Sequence, residues 1–378
     1  MKDIGALFFG IVLSLVILEI LFRVFDPFSF IIKGQEIVLQ KNITTKTTFG
    51  NTTVVKNINS LGFIGDELSP ANDVLTKFVT IGGSTTACDA LQLSDTWPEQ
   101  LKERLKASSD NIWLNNAGFS GHSTYGHNIL FRDHVSKISP DYVFYLIGIN
   151  DVGLNKKALG DNILIADRDT SNYSLWGKVY YFASENIRIV NTVINLMRSY
   201  KAYQLNINDL DFDINSVIFS EDDLELEKLL INAHMKKYIP KYRSRVHQLI
   251  EQTRSVRAKP ILITQPYLGG SNVTDEITGI SLGKIAMPLG SSWAGVGDDW
   301  DIPVDKSRKV NANLMWKVLE LYNDVVRDLA TEKNVMLVDM AKLMPKNTKY
   351  YYDMVHYTAE GSQKFAELLH GNMKLEIR

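Results

Sequence analysis

Apolar positions along this chain fall into three kinds of run. From Ile4 to Phe22, between Asp3 and Arg23, the residues are almost all apolar over 19 positions, with Glu19 as the one charge. As a helix that run would reach about 28 Å, close to the thickness of a bilayer's hydrocarbon core. Further on, short apolar runs at 77–81, 113–116, 141–147, 260–264 and 335–338 read as buried strands. Between them apolar residues return at helical spacing. Leu101 and Leu105 follow Asp95 as an N-cap and Pro98 in the first turn. Leu314, Val318, Leu321, Tyr322, Val325 and Leu329 predict a long helix from about 309 to 333. Phe365, Leu368 and Leu369, after Thr358-Ala359-Glu360-Gly361, predict a final amphipathic helix. Strands alternating with helices predict an α/β fold: a three-layer sandwich with a central parallel sheet of about five strands and helices on both faces.

The rest of the pattern divides the chain. Residues 1–28 form the apolar segment. Residues 29–75 carry short β-like pieces, Glu36-Ile37-Val38-Leu39 and Thr52-Thr53-Val54-Val55, with Thr, Asn and Gly between them. They predict a stalk and a strand-rich lead-in to a main domain at 76–378. Two stretches exceed the minimal fold. The first, about 155–240, is aromatic at Trp176, Tyr180, Tyr181 and Phe182 and acidic over 209–227, a candidate lid or partner surface. The second, about 269–305, is glycine-rich, and its Trp293 and Trp300 are candidates to stack on a sugar face.

Composition narrows the function. With 45% hydrophobic and 22% charged residues and a net charge of −2, nothing points to a nucleic-acid partner. The single cysteine, Cys88, allows no intrachain disulfide. No His-Glu-x-x-His pair and no Cys–His cluster with zinc spacing occurs, so no metal or cofactor is called for. A signal peptide is the rival reading of the N-terminal run. It would have a shorter apolar core and a small-residue cleavage site, whereas Arg23-Val24-Phe25-Asp26-Pro27-Phe28 offers no Ala-x-Ala pattern. An uncleaved single-pass anchor is therefore expected. A buried soluble helix is the third reading, and it would require a partner for Glu19.

Four short blocks carry candidate chemistry: Gly82-Gly83-Ser84-Thr85, Asn116-Ala117-Gly118-Phe119-Ser120-Gly121, Gly148-Ile149-Asn150-Asp151 and Asp353-Met354-Val355-His356. The first three fall at the C-terminal ends of predicted strands, where ligands bind in open parallel α/β sheets. A serine hydroxyl is a poor nucleophile until a base takes its proton, and an imidazole oriented by a carboxylate does this at neutral pH. Ser84 is the candidate nucleophile, His356 the base and Asp353 the orienter. The oxyanion of a tetrahedral intermediate needs aimed donors. Candidates are the Ser84 and Gly121 N–H groups and the Asn150 amide. His122 and His127 flank the second block, and His122 is a candidate substrate contact. Cys88, four residues after Ser84, is a rival nucleophile or simply a small apolar residue.

In these blocks the chain resembles the SGNH hydrolases, the GDSL-type esterase and lipase superfamily. The family's serine, glycine, asparagine and histidine are matched by Ser84, Gly121, Asn150 and His356, and its acid by Asp353. The resemblance spans roughly residues 76–370. One departure is that the usual Gly-Asp-Ser reads Gly82-Gly83-Ser84 here. The resemblance implies a flavodoxin-like fold and a serine hydrolase without cofactor. By analogy with anchored members it also implies a catalytic domain outside the cytoplasm. Three functions follow as expectations. One is an esterase that removes acyl groups, acetyl among them, from a cell-surface glycan or lipid. The second is an acyltransferase that modifies an exopolysaccharide or cell-wall glycan, working beside a multispanning membrane partner. The third is a glycan-binding scaffold with a relic site.

Overall fold

Eight strands form one sheet. They are β1 (Ile43–Phe49), β2 (Thr52–Ile58), β3 (Ile64–Gly65), β4 (Thr76–Gly82), β5 (Ile112–Gly118), β6 (Tyr142–Leu146), β7 (Lys259–Ile263) and β8 (Met336–Val338). Their spatial order is β8-β7-β6-β4-β5-β3-β2-β1. From β8 to β5 every pairing is parallel, while β3, β2 and β1 continue the sheet antiparallel. The computed structural model describes residues 2–25, 28, 32–33, 36–49, 52–68, 75–154, 174–204, 218–277, 280–288 and 308–373. It divides into two compact units, Met1–Gln40 with Asn162–Asp209 and Lys41–Asp161 with Leu210–Arg378.

The larger unit is a flavodoxin-like three-layer α/β/α sandwich. Phe78, Val79 and Ile81 of β4 and all of β6 are buried, as expected of strands covered on both faces. Helices α1 (Trp97–Lys106), α2 (Thr124–Asp133), α3 (Leu224–Ala233), α4 (Ile239–Ser255), α5 (Ala312–Glu332) and α6 (Ala359–Gly371) supply the covers. Helix α1 packs on β5 and α6, with the Trp97 and Phe365 rings 5.0 Å apart. Helix α4 packs between α2 and α5, and α5 reaches β7 and β8.

Helix starts differ in detail from the pattern-based reading. Asp95 ends a short 3-10 turn, and α1 begins at Trp97 with Thr96 at its cap and Pro98 in its first turn. Tertiary contact decides this, because the buried Trp97 indole donates to the Thr85 carbonyl (2.9 Å) and pins the start. Helix α5 begins at Ala312 rather than near 309. Lys309–Asn311 instead pairs with Ala286–Pro288, and the Asn311 side chain accepts from the Leu314 N–H (2.9 Å). Helix α6 starts as expected, with Thr358 accepting from Gly361 N–H (3.0 Å).

Residues 43–65, expected as a lead-in, extend the main sheet itself. In β2 the inward positions are Val54 and Lys56, both buried. The lysine is a side chain of the core, for a reason given below.

The smaller unit contains the N-terminal helix Lys2–Phe25, a two-residue hairpin pairing Ile32–Lys33 with Glu36–Ile37, and helices Leu175–Asn186 and Arg188–Gln204. The N-terminal helix is long and apolar enough to cross a membrane, with mean hydropathy 2.6 over Ile4–Phe25 and none of that window buried.

Candidate active site

The chain runs from β4 to β5 on one side and later returns to β6 on the other. The carboxyl ends of β4 and β6 therefore flank a topological switch point, where an open α/β sheet leaves a crevice. Ser84 follows β4 and Asn150 follows β6.

Ser84 opens a single helical turn, Ser84–Ala87, that ends at Cys88 in the left-handed region (φ 50°). Such a turn satisfies its first carbonyl, Ser84 O, from the Cys88 N–H (2.9 Å), and side chains serve the carbonyls that follow. Trp97 Nε1 donates to Thr85 O (2.9 Å) and Asn116 Nδ2 to Thr86 O (2.7 Å). The Lys56 ammonium donates to both Ala87 O and Cys88 O (2.7 Å each). The serine is thus held from β5, α1 and the inward lysine of β2.

The His356 Nε2 stands 2.7 Å from Ser84 Oγ, and its Nδ1 stands 2.6 Å from Asp353 Oδ2. The other carboxylate oxygen of Asp353 accepts the backbone N–H groups of Val355 and His356 (2.7 Å each). Asp353 is 1% exposed, so its charge is stabilised by these donors rather than by water. The Tyr352 ring stacks on the imidazole, 5.6 Å between centroids at 8°. The loop is closed by the Tyr351–Tyr357 bridge and tied to the chain after β7 by Leu268 N–H on Met354 O (2.8 Å). Its geometry is therefore fixed before any substrate arrives. Groups so arranged can act as nucleophile, base and orienting acid.

The donor side lies on the loops after β5 and β6. The Ser84 N–H is at the first position of its turn, where no intrahelical acceptor exists. Gly121 sits at φ 77°, and among the described residues its N–H has no internal partner. One hydrogen of the Asn150 amide is given to His122 O (2.9 Å), leaving the other to donate. A Cβ at Gly83 would lie 2.2 Å from Asn150 Nδ2 and 3.3 Å from His122 O, so a side chain there has no room. The Gly-Gly-Ser spelling follows from that close approach.

Behind these loops lies a buried ion pair. Arg245 of α4 donates to Asp151 (3.0 Å) and to Thr124 Oγ1 (2.7 Å), and its guanidinium lies 4.0 Å over the Tyr125 ring. Asp151 also accepts from the Thr124 N–H (3.2 Å). The pair joins the Asn150 loop to the start of α2, just after Gly121 and His122. Losing either partner would strand the other's charge away from water.

Other candidates take different places. The His122 ring is 4% exposed and stacks on Phe119 (5.2 Å), so its carbonyl, not its imidazole, faces the site machinery. The ring proposed as a substrate contact is therefore buried. His127 is likewise buried. Burial holds the two imidazoles well below the ordinary histidine range, at about 4 and about 3, so both are neutral. Burial pushes the Cys88 thiol up to about 11, and it donates to Thr85 O (3.4 Å), which removes it as a rival nucleophile. Trp293 and Trp300 lie outside the described residues. Among the described residues no group of three or more His, Cys, Asp or Glu is placed to hold a metal ion. A cavity of about 470 Å³ lined by Lys77, His134 and Lys137 contains none of the four blocks.

Lys56, Trp97 and Arg245 were not singled out from sequence, and Asn116 only as the first residue of its block. For Lys56 a signal existed, since alternation in Thr52-Thr53-Val54-Val55-Lys56 puts it on the face of Val54. Lys56→Met is expected to leave the Ala87 carbonyl without its donor and the Cys88 carbonyl with the Leu91 N–H alone. It should cost about 1–3 kcal/mol of stability. It should also lower kcat about tenfold or more through a misplaced serine, with KM held. Denaturant melts and a kcat-against-KM split check this. Lost stability with unchanged kcat would show that the lysine supports the fold without positioning Ser84.

No protein-family model and no curated protein matches the chain in sequence. Solved structures similar in fold include Axe2, an acetylxylan esterase from Geobacillus stearothermophilus, at 17% identity and TM-score 0.42, covering 80% of this chain and 96% of that one. LAE5, an alpha/beta hydrolase from the metagenome of Lake Arreo, Spain, is 15% identical with TM-score 0.40 over 80% and 96% of the two chains. The acetyl xylan esterase AlAXEase is 14% identical with TM-score 0.40 over 78% and 98%. At such scores function has to be argued from this chain's own residues.

Proposed function

We propose that this chain is a serine esterase of the SGNH type that removes acyl groups from a cell-surface glycan or lipid. In this reading the N-terminal helix is an uncleaved anchor and the α/β unit lies outside the cytoplasm. The observation that carries the chemistry is the Ser84–His356–Asp353 relay, with contacts of 2.7 and 2.6 Å, beside three backbone and amide donors at the strand ends. The anchor is supported by the apolar N-terminal helix and by the lack of a small-residue cleavage pattern after it.

The steps follow from the donors and acceptors. As Ser84 Oγ attacks the ester carbonyl, His356 Nε2 takes its proton. Asp353 holds the imidazole with its proton on Nδ1 and stabilises the imidazolium. The oxyanion forms against the Ser84 and Gly121 N–H groups and the Asn150 amide. Collapse expels the alcohol, which leaves with the proton from Nε2, and the acyl group stays on Ser84. Water then attacks with His356 again as base, and the carboxylic acid departs as Nε2 returns the proton to Ser84 Oγ.

The test uses the full chain in detergent, a fluorophosphonate probe and p-nitrophenyl acetate. One phosphonyl group mapped to Ser84, together with turnover that the probe abolishes, is expected. A folded protein with neither label nor turnover would reassign the site as a relic. With an oligosaccharide acceptor present, release of free acid alone supports the esterase, whereas acyl ester on the acceptor would make the protein a transferase.

A further inference from the structure

The smaller unit has its polarity reversed. On helices Leu175–Asn186 and Arg188–Gln204 the exposed side chains include Trp176 (80%), Tyr180, Phe182, Val193, Leu196 and Met197. The buried ones include Ser184, Asn191, Thr192 and Asn195. The inner polar groups satisfy one another locally. Asn191 Nδ2 donates to Ser184 O (3.2 Å), and Asn195 Nδ2 to Asn191 O and Oδ1 (3.0 Å each). In water an amphipathic helix pair turns its apolar stripe inward. Contiguous exposed apolar surface of this kind marks a binding face. A hydrocarbon solvent asks for the arrangement seen, with polar groups paired inside and apolar groups out.

The same unit contains the N-terminal helix, and the two parts meet at that helix's one internal charge. Glu19 accepts the backbone N–H groups of Arg188 (2.9 Å) and Ile189 (3.0 Å), the first residues of the second hairpin helix. A carboxylate is favoured at a helix N-terminus. Arg23 donates to Glu19 (2.8 Å) and to Asn186 O (2.6 Å). The hairpin corner is thus fastened to the last turns of the apolar helix, where a membrane span meets the headgroups. Glu19 has the partner a low-dielectric setting demands.

We propose that the helical hairpin Leu175–Gln204 is a second membrane contact, with its apolar outer face resting in a phospholipid bilayer at the interface beside the N-terminal helix. The inference rests on reading that helix as a membrane anchor. Trp176 and Tyr180 suit this depth, having apolar rings with a polar edge. Continuity with the apolar helix, through Glu19 and Arg23, names lipid as the occupant.

Quenching tests this on the full chain reconstituted into phosphatidylcholine vesicles, with or without acyl chains brominated near the headgroup end. Trp176 is one of six tryptophans, so Trp176→Phe isolates its signal. Trp176 is largely exposed, so this change leaves the fold intact. The expected result is that brominated lipid removes emission from the wild type that it does not remove from Trp176→Phe. The difference spectrum should be blue-shifted. Equal quenching in the two proteins would overturn the proposal and assign the face to a second copy or another protein. Flotation of the vesicles separates the two readings. Protein that fails to float overturns the anchor and the hairpin contact together, whereas protein that floats with Trp176 unquenched overturns the hairpin contact alone.

Discussion

Ser84→Ala lowers kcat for an acyl ester by about 10⁴-fold or more, and Asp353→Asn by about 10⁴-fold, with KM little changed in either. The alanine removes the only atom that bonds to the acyl group. The turn itself is held through carbonyls that take donors from Trp97, Asn116 and Lys56, so the fold should remain. The asparagine acts differently. In the proposed mechanism Asp353 Oδ2, 2.6 Å from Nδ1, fixes the proton of His356 there and leaves Nε2 to accept from Ser84. An amide nitrogen in its place donates to Nδ1, the imidazole proton moves to Nε2, and the base is in the wrong tautomer. One oxygen of residue 353 still accepts the Val355 and His356 N–H groups, so the loop should keep its shape at a cost of about 1–3 kcal/mol. Steady-state kinetics with denaturant melts check both variants. Activity within tenfold of wild type in either would remove the relay from the mechanism.

Acid unfolds the α/β unit earlier than its carboxylates alone would require. Burial lowers the pKa of His122 to about 4 and those of His127 and His234 to about 3, whereas the unfolded chain titrates near 6.5. Because the folded values lie below the unfolded one, the unfolded state binds protons that the native state refuses. The stability these imidazoles contribute is therefore complete above about pH 6.5 and lost as pH falls toward 4. Each refused proton is worth about 1.4 kcal/mol per pH unit, so three approach about 4 kcal/mol per unit below pH 6. By about pH 5 that slope removes about 6 kcal/mol, a large share of a typical domain stability of about 5–15 kcal/mol. Urea melts followed by near-ultraviolet circular dichroism at stepped pH measure it. His127→Leu, which removes one refused proton, should reduce the slope by about a third. An unfolding free energy that stays level from about pH 7 to 5 would mean the native state takes up these protons.

What the sequence by itself determined is local in origin. Strand runs at 77–81 and 141–147, helical spacing in 314–329, and the Thr358 cap are properties of neighbouring residues, and each formed as read. The five parallel strands followed from the alternation of those runs. The blocks carrying Ser84, Gly121 and Asn150 stood out because they occur together and in order, each after an apolar run, with an acid–histidine pair near the C-terminus. The tertiary structure decided which distant groups complete them. A pattern reader sees the antiparallel extension β1 to β3 as separate short pieces, because pairing depends on a partner strand rather than on spacing. Alternation places Lys56 on the face of Val54, but only the tertiary structure brings it under the Ala87 and Cys88 carbonyls. Arg245 reads as a helix surface residue until α4 buries it against Asp151. His122 was a candidate substrate contact in sequence, and its ring is buried, since burial is settled by what packs above a loop. Glu19 followed the same rule. In sequence it was an interruption in an apolar run, and only the approach of the Arg188 N-terminus turned it into a junction. Composition and period belong to the chain alone, whereas a long-range hydrogen bond belongs to two segments, and folding chooses the second.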